Sequence, residues 1–286
     1  MHLEKIGQSI NFQLKNIAFL EFGKDSRYDN VVSPFTRLYL ITKGEGHLIL
    51  ESEKFELSEG FMYLIPSFTP CSYSFQKGLS HFYIHFSMEM PSGLTPYNLY
   101  SILKQVKATT FDKVLFQRCV DQNPGYELPH HDPNIYQSKP WINKQMKYNS
   151  MGHYLETGGI IRQLFSRFIR QELHTDVSKL TNHNMLVILK HIQENISGEI
   201  PLIKLAEIAC LSKDHFTRLF KLITGLPPSE FIILKRIEKA KLILLTTDCP
   251  LDEIIPQTGF KTSAYFCRIF KKYTSYTPME FRKNRE

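Results

Sequence analysis

Leu202-Ile-Lys-Leu-Ala-Glu-Ile-Ala-Cys-Leu-Ser-Lys-Asp-His-Phe-Thr-Arg-Leu-Phe-Lys221, with Pro228 and Phe231 after it, is a stretch that the chain uses twice. Phe216, Arg218, Phe220, Lys221, Pro228, Glu230 and Phe231 recur 50 residues later as Phe266, Arg268, Phe270, Lys271, Pro278, Glu280 and Phe281. Within the first copy, Leu202, Leu205, Ala206 and Ala209 fall at helical spacing, Leu211 plugs a turn, and Ser212 is placed to cap a second helix over about 213–223. In that second helix Phe216, Leu219 and Phe220 share the apolar stripe, leaving Asp214, Thr217, Arg218 and Lys221 outside. This is a helix-turn-helix layout whose polar outer face suits a DNA major groove. The alternative is a pair of amphipathic hairpins in an all-helical protein; duplication and charge favour the first.

The repeat is similar to the tandem helix-turn-helix domain of the AraC/XylS family of bacterial transcription regulators. The resemblance covers Leu202 to Arg282 and rests on Arg236-Ile-Glu-Lys-Ala240, Leu244-Leu-Thr-Thr-Asp248, Gly259-Phe260 and Phe-x-Arg-x-Phe-Lys in both copies. It implies a DNA-binding regulator. It places base contacts on Asp214, Thr217 and Arg218 in the first copy and on Ser263, Ala264, Cys267 and Arg268 in the second, with Lys221, Lys271 and Lys272 supplying charge nearby. Arg pairs bidentately with guanine, and Thr can hydrogen-bond or touch a thymine methyl, while Ala and Cys offer apolar or weak contacts. Ser212 and Thr262 aim helix N-termini at phosphates. A linking helix over about 230–245 is expected to set the two reading helices about one DNA turn apart. The second copy departs from the family at Ile255, where relatives usually carry Ala, and at Pro256. If the helix starts near Asp252, Pro256 removes an interior hydrogen bond, at about 3 kcal/mol; if it starts near Ile255, proline falls in the tolerant first turn.

The whole chain has 286 residues, room for two domains, with 42% hydrophobic and 22% charged residues, a globular composition. From residue 184 to 286 there are 16 Lys and Arg against 11 Asp and Glu, a balance of +5; residues 1–183 hold 19 against 17, a balance of +2. The basic excess sits on the repeat, as phosphate binding requires. No leader-like start and no run of about 18 apolar residues occurs, so a soluble, cytoplasmic protein without membrane contact is expected. Five scattered cysteines argue against a disulfide framework or zinc site.

From about Phe12 to Ser87 the pattern is of short strands. Arg37-Leu-Tyr-Leu-Ile-Thr, Gly46-His-Leu-Ile-Leu, Lys54-Phe-Glu-Leu, Phe61-Met-Tyr-Leu-Ile, Cys71-Ser-Tyr-Ser-Phe and His81-Phe-Tyr-Ile-His-Phe are separated by glycine-bearing turns. Even spacing with little helix argues for a closed antiparallel barrel or jelly roll. The segment resembles the cupin-like effector domain of the same family in Gly44-Glu-Gly, Leu57 to Gly60 and Leu64-Ile-Pro. That resemblance places ligand contacts on Lys43, Tyr73, His81 and Tyr83, polar or aromatic groups suited to a small polar effector such as a sugar or related metabolite. The plain reading makes Lys43 a solvated turn residue and the others satisfied core side chains. A metal-dependent enzyme is disfavoured: His81 and His85 lie roughly 13 Å apart along a strand, too far for one ion, and the His-x-His motif of metal cupins is absent. His130-His131 are adjacent rather than at a chelating spacing, and no phosphate loop or activated nucleophile occurs. No cofactor is implied.

Helical periodicity is expected over Tyr97 to Val120 and over Gly152 to Leu173, the second with Ile160, Ile161, Leu164, Phe165, Phe168, Ile169 and Leu173 on one face and Arg162, Arg167 and Arg170 on the other. The family resemblance makes these the dimer interface; the arginines read equally as a solvent face. Between them a Pro-rich segment, Asp121 to Tyr148 with the sole tryptophan, Trp141, is a surface loop or part of a subunit contact. A polar linker then leads to a helix over 185–195, capped by Asn184.

The expected architecture is thus α+β and multidomain. A cupin-like barrel or jelly roll spans 1–95, a helical dimerisation region 96–174, a linker 175–183, and an all-α tandem helix-turn-helix domain 184–286. The function expected is a homodimeric, effector-switched regulator of transcription, with double-stranded DNA as its partner and RNA polymerase as a further one. The alternative is a ligand-independent DNA-binding regulator whose barrel only dimerises.

Overall fold

The computed structural model of the protein describes residues 10–50, 53–89, 96–128, 130, 146–173, 183–224 and 226–283. Most of the Pro-rich segment with Trp141, and nearly all of the linker over 175–183, lie outside the described residues, as does the side chain of Asn184. The chain divides into two compact units, one built on Phe12–Met88 and Ile102–Ile169, the other chiefly on Glu89–Ser101 and Arg170–Lys283.

The first unit is two sheets. Strands β1 (Asn11–Glu21), β2 (Ser26–Val31), β3 (Thr36–Lys43), β4 (Gly46–Leu50), β5 (Glu53–Leu57), β6 (Phe61–Ile65), β7 (Cys71–Phe75), β8 (Ser80–Glu89), β9 (Tyr100–Ile102), β10 (Gln105–Lys107) and β11 (Ile169–Leu173) follow in order. The larger sheet runs β1-β8-β3-β6-β10 and the smaller β2-β7-β4-β5, while β9 and β11, most of whose residues belong to the second unit, pair with each other. The large sheet has both faces covered, which is why β3 is buried at six successive residues from Thr36 to Ile41. The period of two sends Tyr39 and Ile41 inward, where they join Tyr63, Ile65 and Tyr83 against Leu48, Leu50, Leu57, Tyr73 and Phe75 of the small sheet. On the opposite face, Phe12 and Phe86 pack on Phe165, and Phe82 on Phe116.

Phe116 and Phe165 belong to helices. After a single turn, α1 (Pro96–Leu99), come α2 (Thr110–Gln122) and α3 (Met151–Ser166). The helix expected from Tyr97 is therefore corrected: Tyr100–Ile102 and Gln105–Lys107 are strands, the latter paired to β6 with Val106 opposite Met62. After that one turn, helix resumes only where Thr109 and Asp112 form a reciprocal capping box. Likewise the second helix stops at Ser166, so Ile169 and Leu173 lie in β11 rather than on a helical stripe. Two of the arginines serve this unit internally: Arg167 pairs with buried Asp112 at 3.4 Å, and Arg162 lies over the Phe12 ring at 5.5 Å.

Beyond α1 and most of β9 and β11, the second unit is helical: α4 (His183–Glu194), α5 (Leu202–Ile208), α6 (Lys213–Thr224), α7 (Pro228–Thr246), α8 (Leu251–Gln257), α9 (Ser263–Thr274) and α10 (Pro278–Lys283). Its core repeats as the sequence does. Phe216 and Phe220 meet at 5.5 Å and Phe220 meets Phe231 at 5.4 Å; in the second copy Phe266 and Phe270 meet at 5.6 Å and Phe270 meets Phe281 at 5.3 Å. Each buried ring contributes about 1.5–3 kcal/mol, and each aromatic pair roughly 0.5–1.5 more.

Candidate nucleic-acid interface and inner cluster

Each helix-turn-helix copy is built from backbone geometry that its side chains dictate. In the first, α5 ends as Ala209 N–H donates to the Leu205 carbonyl at 3.1 Å, Cys210 turns into the left-handed region with φ of 55°, and Leu211 N–H returns to Ala206 at 3.0 Å. In the second, Thr258 donates to Ile254 at 3.0 Å, Gly259 takes the turn with φ of 78°, and Phe260 returns to Ile255 at 3.2 Å. The next helices start on hydroxyl caps: Ser212 Oγ accepts from His215 N–H at 3.4 Å, and Thr262 Oγ1 from Tyr265 N–H at 3.3 Å. Both close alike, Thr224 and Thr274 donating to Phe220 and Phe270 carbonyls at 2.9 and 2.8 Å.

The outer faces match residue for residue. Positions 212–221 and 262–271 carry one and the same succession of exposed, half-buried and buried residues, so Asp214, Arg218 and Lys221 stand out as Ala264, Arg268 and Lys271 do, while Thr217 and Cys267 are half-buried. Ser263 and Lys272 are exposed as well. All ten expected DNA-facing residues therefore lie on the outer or flanking surfaces of α6 and α9. Local bonds refine what each can offer. Thr217 donates its hydroxyl to the Lys213 carbonyl at 2.8 Å, so toward a base it presents a lone pair and a methyl group. Arg268 lies over the Tyr265 ring at 5.4 Å, whereas the corresponding neighbour of Arg218 is His215. His215 and Tyr265, both exposed on the first turns of these helices, extend the face beyond the residues expected from the motif; their equal place in the repeat is the signal that finds them.

In the sandwich unit, Tyr73, His81 and Tyr83 do come together. They line a cavity of about 20 Å³ with Tyr39, His85, Leu128 and three other side chains. Phe22 and Phe75 stack on each other at 4.4 Å, His81 lies beside both at 5.7 and 5.4 Å, and Tyr83 faces His85 at 5.1 Å. Lys43 is not among them: it is exposed at the end of β3, opposite Ser80. Burial drives the His85 imidazole well below its ordinary pKa, helped by the nearby charges of Arg37 and then His81, so His85 is neutral. Burial also pushes up the Cys71 thiol, whose sulfur accepts from Arg37 Nη2 at 3.2 Å. Leu128, from the Pro-rich segment, donates its N–H to Tyr83 Oη at 2.8 Å and closes one side of the cavity. Nothing in the spacing of residues 121–148 singles it out. A volume of that size holds a water or two, against the several hundred cubic ångströms of an ordinary ligand pocket.

Comparisons with known proteins agree with this geometry. Residues 205–284 match the family described as a helix-turn-helix domain. An uncharacterized HTH-type transcriptional regulator of Staphylococcus aureus (strain MRSA252) is 24% identical over 249 residues, covering 86% of this chain and 31% of that protein. The HTH-type transcriptional activator Btr of Bacillus subtilis (strain 168) is 33% identical over 144 residues, covering 50% of this chain and 26% of that protein. The chain thus spans about a third or less of the length of these relatives. Among solved structures, unsaturated fatty acid bound ToxT from Vibrio cholerae strain SCE256 is similar with a TM-score of 0.50 at 15% identity, covering 96% of this chain and 95% of that one, a likeness of fold. Among the described residues no helix is long and apolar enough to cross a membrane.

Proposed function

We propose that this chain, whose C-terminal part is an AraC-type helix-turn-helix domain, is a sequence-specific DNA-binding transcription regulator. The observation that carries the reading is the paired outer face of α6 and α9, with Arg218 and Arg268 at the same place in each copy. Arg218 is the principal reader, able to grip guanine with two hydrogen bonds; Thr217 adds a methyl and Asp214 an acceptor. In α9, Ser263, Ala264 and Cys267 offer less to base edges, and Arg268 shares its guanidinium with Tyr265. Lys221, Lys271 and Lys272 hold phosphates. In vitro selection of duplexes by the full chain tests this. A two-part consensus is expected, with affinity falling steeply as salt rises; equal binding to every duplex overturns it.

The sandwich unit takes a small effector at Tyr39, Tyr73, His81 and Tyr83, with Leu128 displaced as the cavity opens. Supporting this are the polar groups gathered on one inner surface and the fold shared with ToxT, which has been solved with an unsaturated fatty acid. Ligand then biases two dimer arrangements and hence site occupancy. The dimer forms through α2 and α3, which expose Phe111, Val114, Met151 and Leu155. RNA polymerase is the further partner of the DNA-bound dimer. A second reading, a regulator without ligand, draws support from the small cavity. A thermal-shift screen of metabolites separates the two. The double variant His81→Ala with Tyr83→Ala is expected to abolish any response, and an unaltered response removes this site.

A further inference from the structure

We infer that Arg236 is a positioning residue: by clamping the loop over 196–199, it fixes the second reading helix relative to the first. The inference rests on the DNA-reading proposal above. Arg236 projects from α7, the helix that joins the two copies. Its Nε donates to the Ile196 carbonyl at 3.1 Å and its Nη2 to the Gly198 carbonyl at 2.6 Å. One turn further along, Lys239 Nζ donates to Ser197 Oγ at 2.7 Å, and that hydroxyl donates to the Gln257 carbonyl at 2.7 Å. Glu199 pairs with Lys261.

The connectivity gives these bonds their meaning. The loop is the lead-in to α5, the first helix of copy one, whereas Gln257 and Lys261 flank the turn of copy two. Four successive residues, 196 to 199, are thus tied either to α7 or to the second turn. The approach is close: a side chain at Gly259 would collide with the Ile196 carbonyl and with the Arg236 guanidinium. Copy two is therefore referenced to copy one by a direct contact as well as by the covalent path through α7. A guanidinium is suited to the task because its rigid planar fork holds two carbonyls in a fixed mutual geometry, whereas an ammonium donates with no preset direction. With two nitrogens committed to backbone and its side chain half-buried, Arg236 acts here through placement of α9 rather than by gripping a phosphate.

The experiment uses the full chain and the duplex it selects from random sequence, followed by versions in which the spacing between the two half-sites is changed by one or two base pairs. Wild type is expected to lose ~10-fold or more for a single base pair. Arg236→Ala is expected to bind the parent duplex ~10-fold more weakly, yet to respond little to spacing, because the freed second copy can follow its half-site. Arg236→Lys, keeping charge and one bond, should lie between. Ser197→Ala, a milder change, should flatten the profile in the same direction and serves if Arg236→Ala melts with the wild-type transition lost. A spacing profile parallel to wild type in both Arg236→Ala and Ser197→Ala overturns the inference. So does a uniform loss with a shallower salt slope, the mark of a phosphate contact. A wild-type chain that enriches no duplex brings down the DNA-reading proposal itself.

Discussion

In the first helix-turn-helix copy the turn is made by Cys210 at φ of 55°, and in the second by Gly259 at φ of 78°. Both copies need a left-handed residue there, since the chain must reverse from the end of one helix into the cap of the next. A cysteine suffers in that region and a glycine does not. The first copy tolerates the strain because Cys210 is exposed and nothing constrains its side chain to a crowded place. The second cannot, because the loop over 196–199 lies against Gly259. One fold element, used twice, has thus been tuned by its surroundings: the first copy keeps side-chain chemistry on its reading face, and the second is held by contacts beneath it.

The largest expected effect tests that difference. Gly259→Ala forces a Cβ into the Ile196 carbonyl at a left-handed position and should destabilise the C-terminal unit by about 2–4 kcal/mol, read as a drop in its thermal or urea midpoint. Next comes base reading. Arg218→Ala should cost about 1–3 kcal/mol of specific binding and flatten preference in one half-site, whereas Lys271→Ala weakens all sequences alike. Equal losses of specificity from both contradict the roles given to them.

The turn comparison also explains what was legible in the sequence. The aromatic ladder of each second helix is aligned by a shift of 50, and residues 213–223 and 263–273 were readable from it to within one residue of α6 and α9. The first helices align instead at 49, since Cys210 answers to Gly259 and Ala206 to Ile255; one extra residue, at Lys261, restores the shift. A single fixed ruler cannot register that. Strands over Gly46–Leu50, Phe61–Ile65 and Cys71–Phe75 were legible because aromatic and β-branched residues alternate between turns. The stretch from Tyr97 was not: its two strands are three residues each, shorter than any period can establish, and the capping box at Thr109 and Asp112 is the better guide. Within the inner cluster, His81, Tyr83 and His85 stand two residues apart along β8, a spacing that puts them on one face. Leu128 has no such signal, because only the fold brings that segment to the cavity.

Cys210→Gly is the complementary change in the first copy. Releasing a non-glycine residue from the left-handed region should stabilise the unit by about 1 kcal/mol, with base preference unchanged. A loss of stability would mean that the Cys210 side chain packs usefully.

The smallest effect concerns Pro256, which occupies the place that Glu207 holds in the first copy. Helix α8 starts at Leu251 behind Pro250, so Pro256 is sixth of seven residues, in the last turn rather than the first. Its missing N–H would otherwise donate to the carbonyl of Asp252, four residues back. In a long buried helix such a gap costs about 3 kcal/mol. Here Pro256 is exposed, water reaches that face, and the turn is fixed independently by Thr258, Gly259 and Phe260 donating to Ile254, Pro256 and Ile255. Pro256→Glu should therefore raise stability by only about 0.5–1 kcal/mol, seen as a melting transition a few degrees higher for the C-terminal unit. The substitution firms the scaffold but adds nothing to α9's reading face, where Ser263, Ala264 and Cys267 are unaltered. Base-by-base mutation of the selected duplex should accordingly keep steep preferences in the half-site read by Arg218 and shallow ones in the other, in wild type and variant alike. Steep preferences in both half-sites, together with no gain in stability from Pro256→Glu, would sink the view that the second copy is the weaker reader on a less firmly built helix.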